Sequence, residues 1–174
     1  METRNYQTTI QAGISAEEAF RKIGQVSLWW TKGISGKADH LGDRFTMRSR
    51  ETFVDLEVVE LEPDTRIVWQ VTDCNIHWIA DKKEWKGTRI LWELAPKNGK
   101  TEVRMTHVGL VPEVECYGVC KPGWDFHVGT SLYNFLARNV ALTAEIEAAN
   151  RAARREIAAP TGRTVDRASV RQSP

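Results

Sequence analysis

The residues whose types and spacing could do chemistry are two cysteines four positions apart, Cys116 and Cys120, with His107 and His127 to either side. Together they could supply four zinc ligands, an oxidisable thiol pair or a general base. Each reading meets an objection. Structural zinc sites usually present tighter pairs such as C-x2-C. The C-x3-C spacing puts both thiols on one face only if the segment is helical, and Gly118 between them argues against a regular helix. A disulfide or a redox-sensing pair is disfavoured in a reducing compartment. The cysteines are therefore read as small buried hydrophobes in a loop that feeds a helix, and no metal site is expected. His107 shares a strand face with Val103 and Met105. A histidine in an apolar wall is usually a satisfied core residue. Its functional alternative is a polar handle that orients a ligand, or a general base. His127 falls one residue from the apolar stripe of its helix, within reach of a pocket edge. No Ser/His/Asp arrangement has usable spacing and no glycine-rich phosphate loop is present. No catalytic residue and no cofactor are assigned.

These side chains must be positioned by the elements around them. Residues 6–14 alternate, with Tyr6, Thr8, Ile10, Ala12 and Ile14 on one face, which is strand periodicity. Ser15 then provides an N-cap and Glu18 completes a capping box for a short helix that turns Ala19, Phe20 and Ile23 inward. QVSLWW reads as a second short helix, with one of Trp29 and Trp30 in the core and the other at a mouth, as a gate or a partner surface. Residues 33–43 read as a glycine-punctuated loop. From residue 44 the period returns to two. Phe45 and Met47 face inward, then Val54, Leu56 and Val58, then Ile67, Trp69 and Val71, then Ile90, Trp92 and Leu94. NIHWIA reads as a further strand carrying Ile76 and Trp78. Pro63-Asp64 and Asn98-Gly99 mark turns. From about 123 to 157 the period becomes helical, with Trp124, Val128, Leu132, Phe135 or Leu136, Asn139, Leu142 and Ile146 on one stripe. One continuous rod of that length would run about 50 Å. Pro122 is expected at its first turn, and residues 160–174 as a disordered tail.

A chain of 174 residues is long enough for one domain with a real core. The net charge of +1 hides an asymmetry: residues 151–174 hold six Arg against Glu156 and Asp166, a local +4. Four extra charges are too few for a nucleic-acid surface. The first ten residues form no apolar signal segment and no stretch approaches a membrane span, so the expected location is the cytoplasm. Seven Trp is the unusual count, and it calls for broad interior walls or an aromatic cavity.

The fold class that follows is α+β. A curved antiparallel sheet of six to seven strands wraps a long C-terminal helix, with two short helices after the first strand. In this layout "SAEEAFRKI…SLWW", "LEVVELEPDTRIVWQV", "GTRILWELAPKNGKTEVRMTHVGL" and "GWDFHVGTSLYNFL" resemble the helix-grip fold of the START/SRPBCC superfamily over roughly residues 6–140. Within it, the chain looks like the branch related to the activator of the heat-shock protein 90 ATPase. "HVGLVPEVECYGVCKPGW" is similar to a bacterial subgroup mostly without assigned activity. The resemblance implies a START/SRPBCC-like ligand-binding domain over 1–147, with a hydrophobic cavity under the C-terminal helix, and a basic extension over 148–174. It implies no catalytic residue, because the superfamily ranges over lipid carriers, hormone receptors, aromatases/cyclases and chaperone co-factors, and a fold does not give a function.

The site expected from these readings is a cavity between sheet and helix lined by Trp30, Phe45, Trp69, Trp78, Trp92, Met105, His107, Trp124, Val128, Ser131, Leu132 and Phe135. Its occupant would be a small hydrophobic or aromatic molecule, held by a non-catalytic carrier or sensor. A chaperone or other protein partner, using the outer sheet face, and a cyclase- or hydrolase-like enzyme are the alternatives. A monomer and a homodimer both remain open.

Overall fold

A computed structural model describes residues 4–158. Seven strands form one antiparallel sheet: β1 (Tyr6–Ala12), β2 (Ile34–Gly36), β3 (Arg44–Ser49), β4 (Thr52–Glu62), β5 (Arg66–Asn75), β6 (Arg89–Lys97) and β7 (Lys100–Val108). Their order is β1-β7-β6-β5-β4-β3-β2, so the chain crosses from one edge to the other after β1 and then meanders back. The crossing is made by α1 (Ala16–Gly24) and a single 3-10 turn, Val26–Leu28. Ser15 caps α1 as its sequence requires, its Oγ accepting the Glu18 N–H at 3.1 Å. Asn98 and Gly99 both take positive φ (52° and 74°), the two-residue hairpin turn that this dipeptide favours.

The strand alternation places its apolar set inward. Val54, Leu56, Val58, Ile67, Trp69, Val71, Ile90, Trp92, Val103 and Met105 are all buried. The outer face carries ion pairs instead, including Arg66 with Glu60 and Glu93, Arg44 with Glu57, and Lys97 with Glu102. Helices α2 (Tyr117–Phe126) and α3 (Tyr133–Arg138), joined without a break by a π-helical stretch (His127–Leu132), cover the inner face.

Four expectations about elements are corrected. The segment read as loop over 33–43 contains β2. Its Gly36 is needed there because φ is 89° and a Cβ would stand 2.3 Å from the Arg44 carbonyl oxygen. NIHWIA is not a strand: β5 stops at Asn75 and the chain passes through turns to β6. Ile76 and Ile79 are buried while Trp78 is 43% exposed. The helix begins before Pro122 rather than at it, so the proline sits inside α2 and Gly118 does not prevent helix formation. The single long rod is two pieces. Asn139, left-handed at φ 54°, ends α3, and the Val140 N–H closes on the Asn134 carbonyl at 3.1 Å. Buried Lys22 reinforces this stop from α1, donating to the Phe135 carbonyl (3.1 Å) and the Asn139 side chain (3.0 Å). The chain then turns at Leu142, whose N–H bonds the Leu28 carbonyl, and starts α4 (Ala144–Ala158) in a new direction. The tail expected over 160–174 lies outside the described residues.

Candidate functional site

The centre of the sheet–helix interface is filled. Trp29, delivered by the 3-10 turn, packs edge-on to Trp92 at 5.5 Å and stacks on Trp69 at 6.4 Å. Trp69 meets Trp92 at 5.4 Å and Phe45 at 5.0 Å. The Trp29 indole donates to the Ile23 carbonyl at 3.0 Å, and the Ser131 hydroxyl donates to the Trp29 carbonyl. Val128, Leu132 and Phe135 complete this packing from the helical side. The hollow expected between sheet and rod is therefore solid around Phe45, Trp69, Trp92, Met105, Val128, Ser131, Leu132 and Phe135, because one more indole than the strands supply was inserted into it.

His107 belongs to the same core. The Trp124 indole can only donate, so its 3.1 Å bond goes to a bare His107 Nδ1. Nε2 then carries the proton and donates to Thr88 Oγ1 at 2.9 Å, and the Thr88 hydroxyl donates in turn to the Trp85 carbonyl at 2.7 Å. Both ring nitrogens are used, and Trp85 closes over the ring edge-on at 4.6 Å. Burial depresses the imidazole pKa from its ordinary 6.5 to about 3. The residue is a neutral strut between β7 and α2, not a base aimed at a ligand.

The open space lies to one side. A cleft of about 400 Å³ runs between the β3–β4 end of the sheet, the start of the helical layer and α4. Of the twelve expected wall residues, Trp30, Trp78 and Trp124 border it, and the other nine do not. Trp30 forms its inner wall, 4% exposed, with its ring 5.0 Å from Trp124 and 6.1 Å from Trp29. Both indoles are thus buried: Trp29 takes the core position, and Trp30 lines the inner wall instead of standing exposed at a mouth. Trp85 extends the wall, parallel to Trp124 at 6.2 Å. Met47, Val54 and Ile76 form the apolar floor, and Cys120, His127 and Val119 the helical side. The fourth side is Leu142, Glu147, Asn150 and Arg151.

Two clasps hold these walls. The connection that carries Trp78 and Trp85 is tied to the start of α2 by crossed carboxylates. Glu84 accepts the Glu115 and Cys116 N–H groups at 2.6 and 3.0 Å, and Glu115 accepts the Ala80 N–H at 2.9 Å. Glu84 also suits the positive end of the helix it caps. On the other side Glu147 accepts from the Thr31 hydroxyl and from the Lys32 N–H (3.0 Å), fixing α4 beside Trp30. The border drawn at 147/148 thus falls inside α4, and the cleft uses residues from both sides of it.

Cys116 is fully buried and its Sγ accepts the Trp85 indole N–H at 3.1 Å. Cys120 follows one helical turn later, and the Cys116 thiol beside it together with burial pushes its pKa far up, so the thiol stays protonated. Among the described residues no cluster of three or more His, Cys, Asp or Glu side chains is arranged to hold a metal ion. His107 is committed elsewhere, which removes it from the proposed ligand set.

Sequence reasoning missed Trp85 and the α4 side of the cleft. A lone tryptophan in DKKEWKGT has no local apolar partner, and that was the available signal: so large a ring must bury itself on a distant surface. Nothing in the sequence marked the turn at residues 139–143 strongly enough to bring Asn150 and Arg151 to the border of the cleft.

Comparison with known proteins gives the family. The chain matches the family described as "Activator of Hsp90 ATPase homolog 1-like protein" over residues 18–137. No curated protein matches it. Among solved structures, the Aha1 dimer from Colwellia psychrerythraea is similar with a TM-score of 0.62 at 25% identity, over 76% of this chain and 96% of that one. Protein MLL2253 from Mesorhizobium loti gives a TM-score of 0.62 at 22% identity, covering 76% of this chain and 96% of that chain. Protein SSP2350 from Staphylococcus saprophyticus gives 0.58 at 17% identity, covering 80% and 96%. The latter two show a shared fold. With the helix-grip architecture, the strand order and 120 matched positions in agreement, the chain belongs to the Activator of Hsp90 ATPase homolog 1-like family.

Proposed function

We propose that the protein binds a small apolar or aromatic molecule in the side cleft and acts as a non-catalytic carrier or sensor. The observation that carries this reading is the cleft itself: about 400 Å³, bordered by four indoles and an aliphatic floor, with a mostly apolar surface. Trp78 supports it. A tryptophan 43% exposed at the lip of an apolar cleft is a surface that gains from being covered. The binding wall is Trp30, Trp78, Trp85 and Trp124, with Met47, Val54 and Ile76 beneath. The central residues of the expected wall act behind it, as rigid backing. Native mass spectrometry of freshly purified protein tests the reading. A co-purified small molecule lost on Trp78→Ala supports it; a homogeneous apo mass that no added aromatic compound shifts counts against it.

A second reading comes from the family description and from the Aha1 relative: a chaperone co-factor, as a monomer or a homodimer. It would use the outer sheet face, and there ion pairs rather than an apolar patch meet solvent. A cyclase- or hydrolase-like reading needs polar groups converging in the cleft, and His107, its inward candidate, is spent on Trp124 and Thr88. No helix among the described residues is long and apolar enough to cross a membrane, and binding from aqueous solution in the cytoplasm is the setting we infer.

A further inference from the structure

The cleft's polar groups are unequally spent, and the imbalance specifies a ligand. The charged acceptor is already engaged. Glu147, the only acidic side chain bordering the cleft among the described residues, already receives the Thr31 hydroxyl and the Lys32 N–H. The Thr52 hydroxyl is engaged with His77 Nδ1 at 2.6 Å. Two of the four indoles are also committed, Trp85 to Cys116 and Trp124 to His107. What remains is a surplus of donors. Arg151 has five N–H groups and a single 3.4 Å contact to Glu147, longer than a well-formed charge-assisted bond. Its side chain is half exposed, and the Asn150 side-chain amide beside it makes no hydrogen bond among the described residues. The Trp78 indole N–H has no partner among them either. A cationic guest would find no free carboxylate here. A neutral apolar guest would offer the guanidinium beside it no acceptor beyond the 3.4 Å contact to Glu147.

We propose that the occupant is a ring-bearing monocarboxylate, its flat apolar body against Trp30, Trp78 and Trp124 and its carboxylate at Arg151 and Asn150 of α4. This rests on the binding function assigned to the cleft and narrows it. Arg151 supplies the planar pair of donors that matches a carboxylate, and it does so without desolvating Glu147 from Thr31. The Arg-rich stretch thereby gains a role at its first residue.

Isothermal titration calorimetry with 2-naphthoate and its neutral isostere 2-naphthalenemethanol tests it. The acid should bind at least about tenfold more tightly, the range expected of a hydrogen bond to a charged group. Arg151→Gln, with its circular dichroism compared to that of the parent protein, should bring naphthoate down to the affinity of the alcohol. Equal binding of both probes, abolished together by Trp78→Ala, overturns the acid proposal while the cleft remains a binding site. A preference for the acid that survives both Arg151→Gln and Asn150→Leu overturns the assignment of these residues. No heat with either probe overturns the proposal and the binding function together.

Discussion

At the scale of single residues, His107 has the firmest chemistry, and it is structural. Its folded pKa of about 3 lies below the unfolded value of 6.5, so the unfolded chain takes up a proton that the folded chain refuses. The contribution is fully present above about pH 6.5 and is lost as pH falls toward about 3. In that window stability should fall by about 1.4 kcal/mol per pH unit from this group alone. Urea denaturation of the parent protein and of His107→Gln at pH 7.5, 6 and 5 isolates the contribution. The variant should start about 2 kcal/mol less stable, having lost its fit to Trp124 and Thr88, and the gap should narrow with acid. A gap that widens with acid contradicts the neutral-strut assignment. Period-two alternation was enough to place His107, Trp69 and Trp92 inward. It could not say that Trp29 would occupy the space between them, because that depends on where a 3-10 turn on a different part of the chain delivers its ring. The Trp69 and Trp92 indole N–H groups are buried with no partner among the described residues, a cost of filling that space with rings.

At the scale of elements, strands and caps were readable and the ends of helices were not. Ser15, Asn98-Gly99 and the alternating runs other than NIHWIA each act through neighbours in sequence, and each was placed correctly. The stop at Asn139 depends on Lys22, 117 residues away in the chain, reaching across from α1. No local signal carries that contact. The same holds for the 76–88 connection: its opening residues, Ile76 to Trp78, alternate like a strand, yet crossed carboxylates on Glu84 and Glu115 hold it as turns against α2. The clasp has a measurable consequence. Glu84→Ala frees two N–H groups at the start of α2 and unties the support of Trp78 and Trp85. Stability should fall by about 1–2 kcal/mol, the usual range for losing a cap, and amide hydrogen exchange should accelerate over residues 76–88 before it does in β6 or β7. Uniform acceleration across the sheet would mean that the connection is not a separate unit.

At the scale of the molecule, the sheet, the two-part helical layer and α4 divide the seven indoles into two groups. Trp29, Trp69 and Trp92 are a packed interior, each at 0% exposure. Trp30, Trp78, Trp85 and Trp124 face a cleft that the second helical piece closes. The architecture expected from the sequence was right in kind: an antiparallel sheet gripped by a C-terminal helical layer with aromatic residues between. The space left for a ligand was displaced to one side, since close packing removes any void that a nearby ring can fill. The direct measurement is a two-dimensional proton–nitrogen spectrum of the indole N–H resonances, one for each tryptophan, during titration with 2-naphthoate. The account predicts that the Trp30, Trp78, Trp85 and Trp124 signals move while those of Trp29, Trp69 and Trp92 stay still. Movement led by Trp69 and Trp92, with Trp78 unchanged, would put the ligand in the core and contradict it.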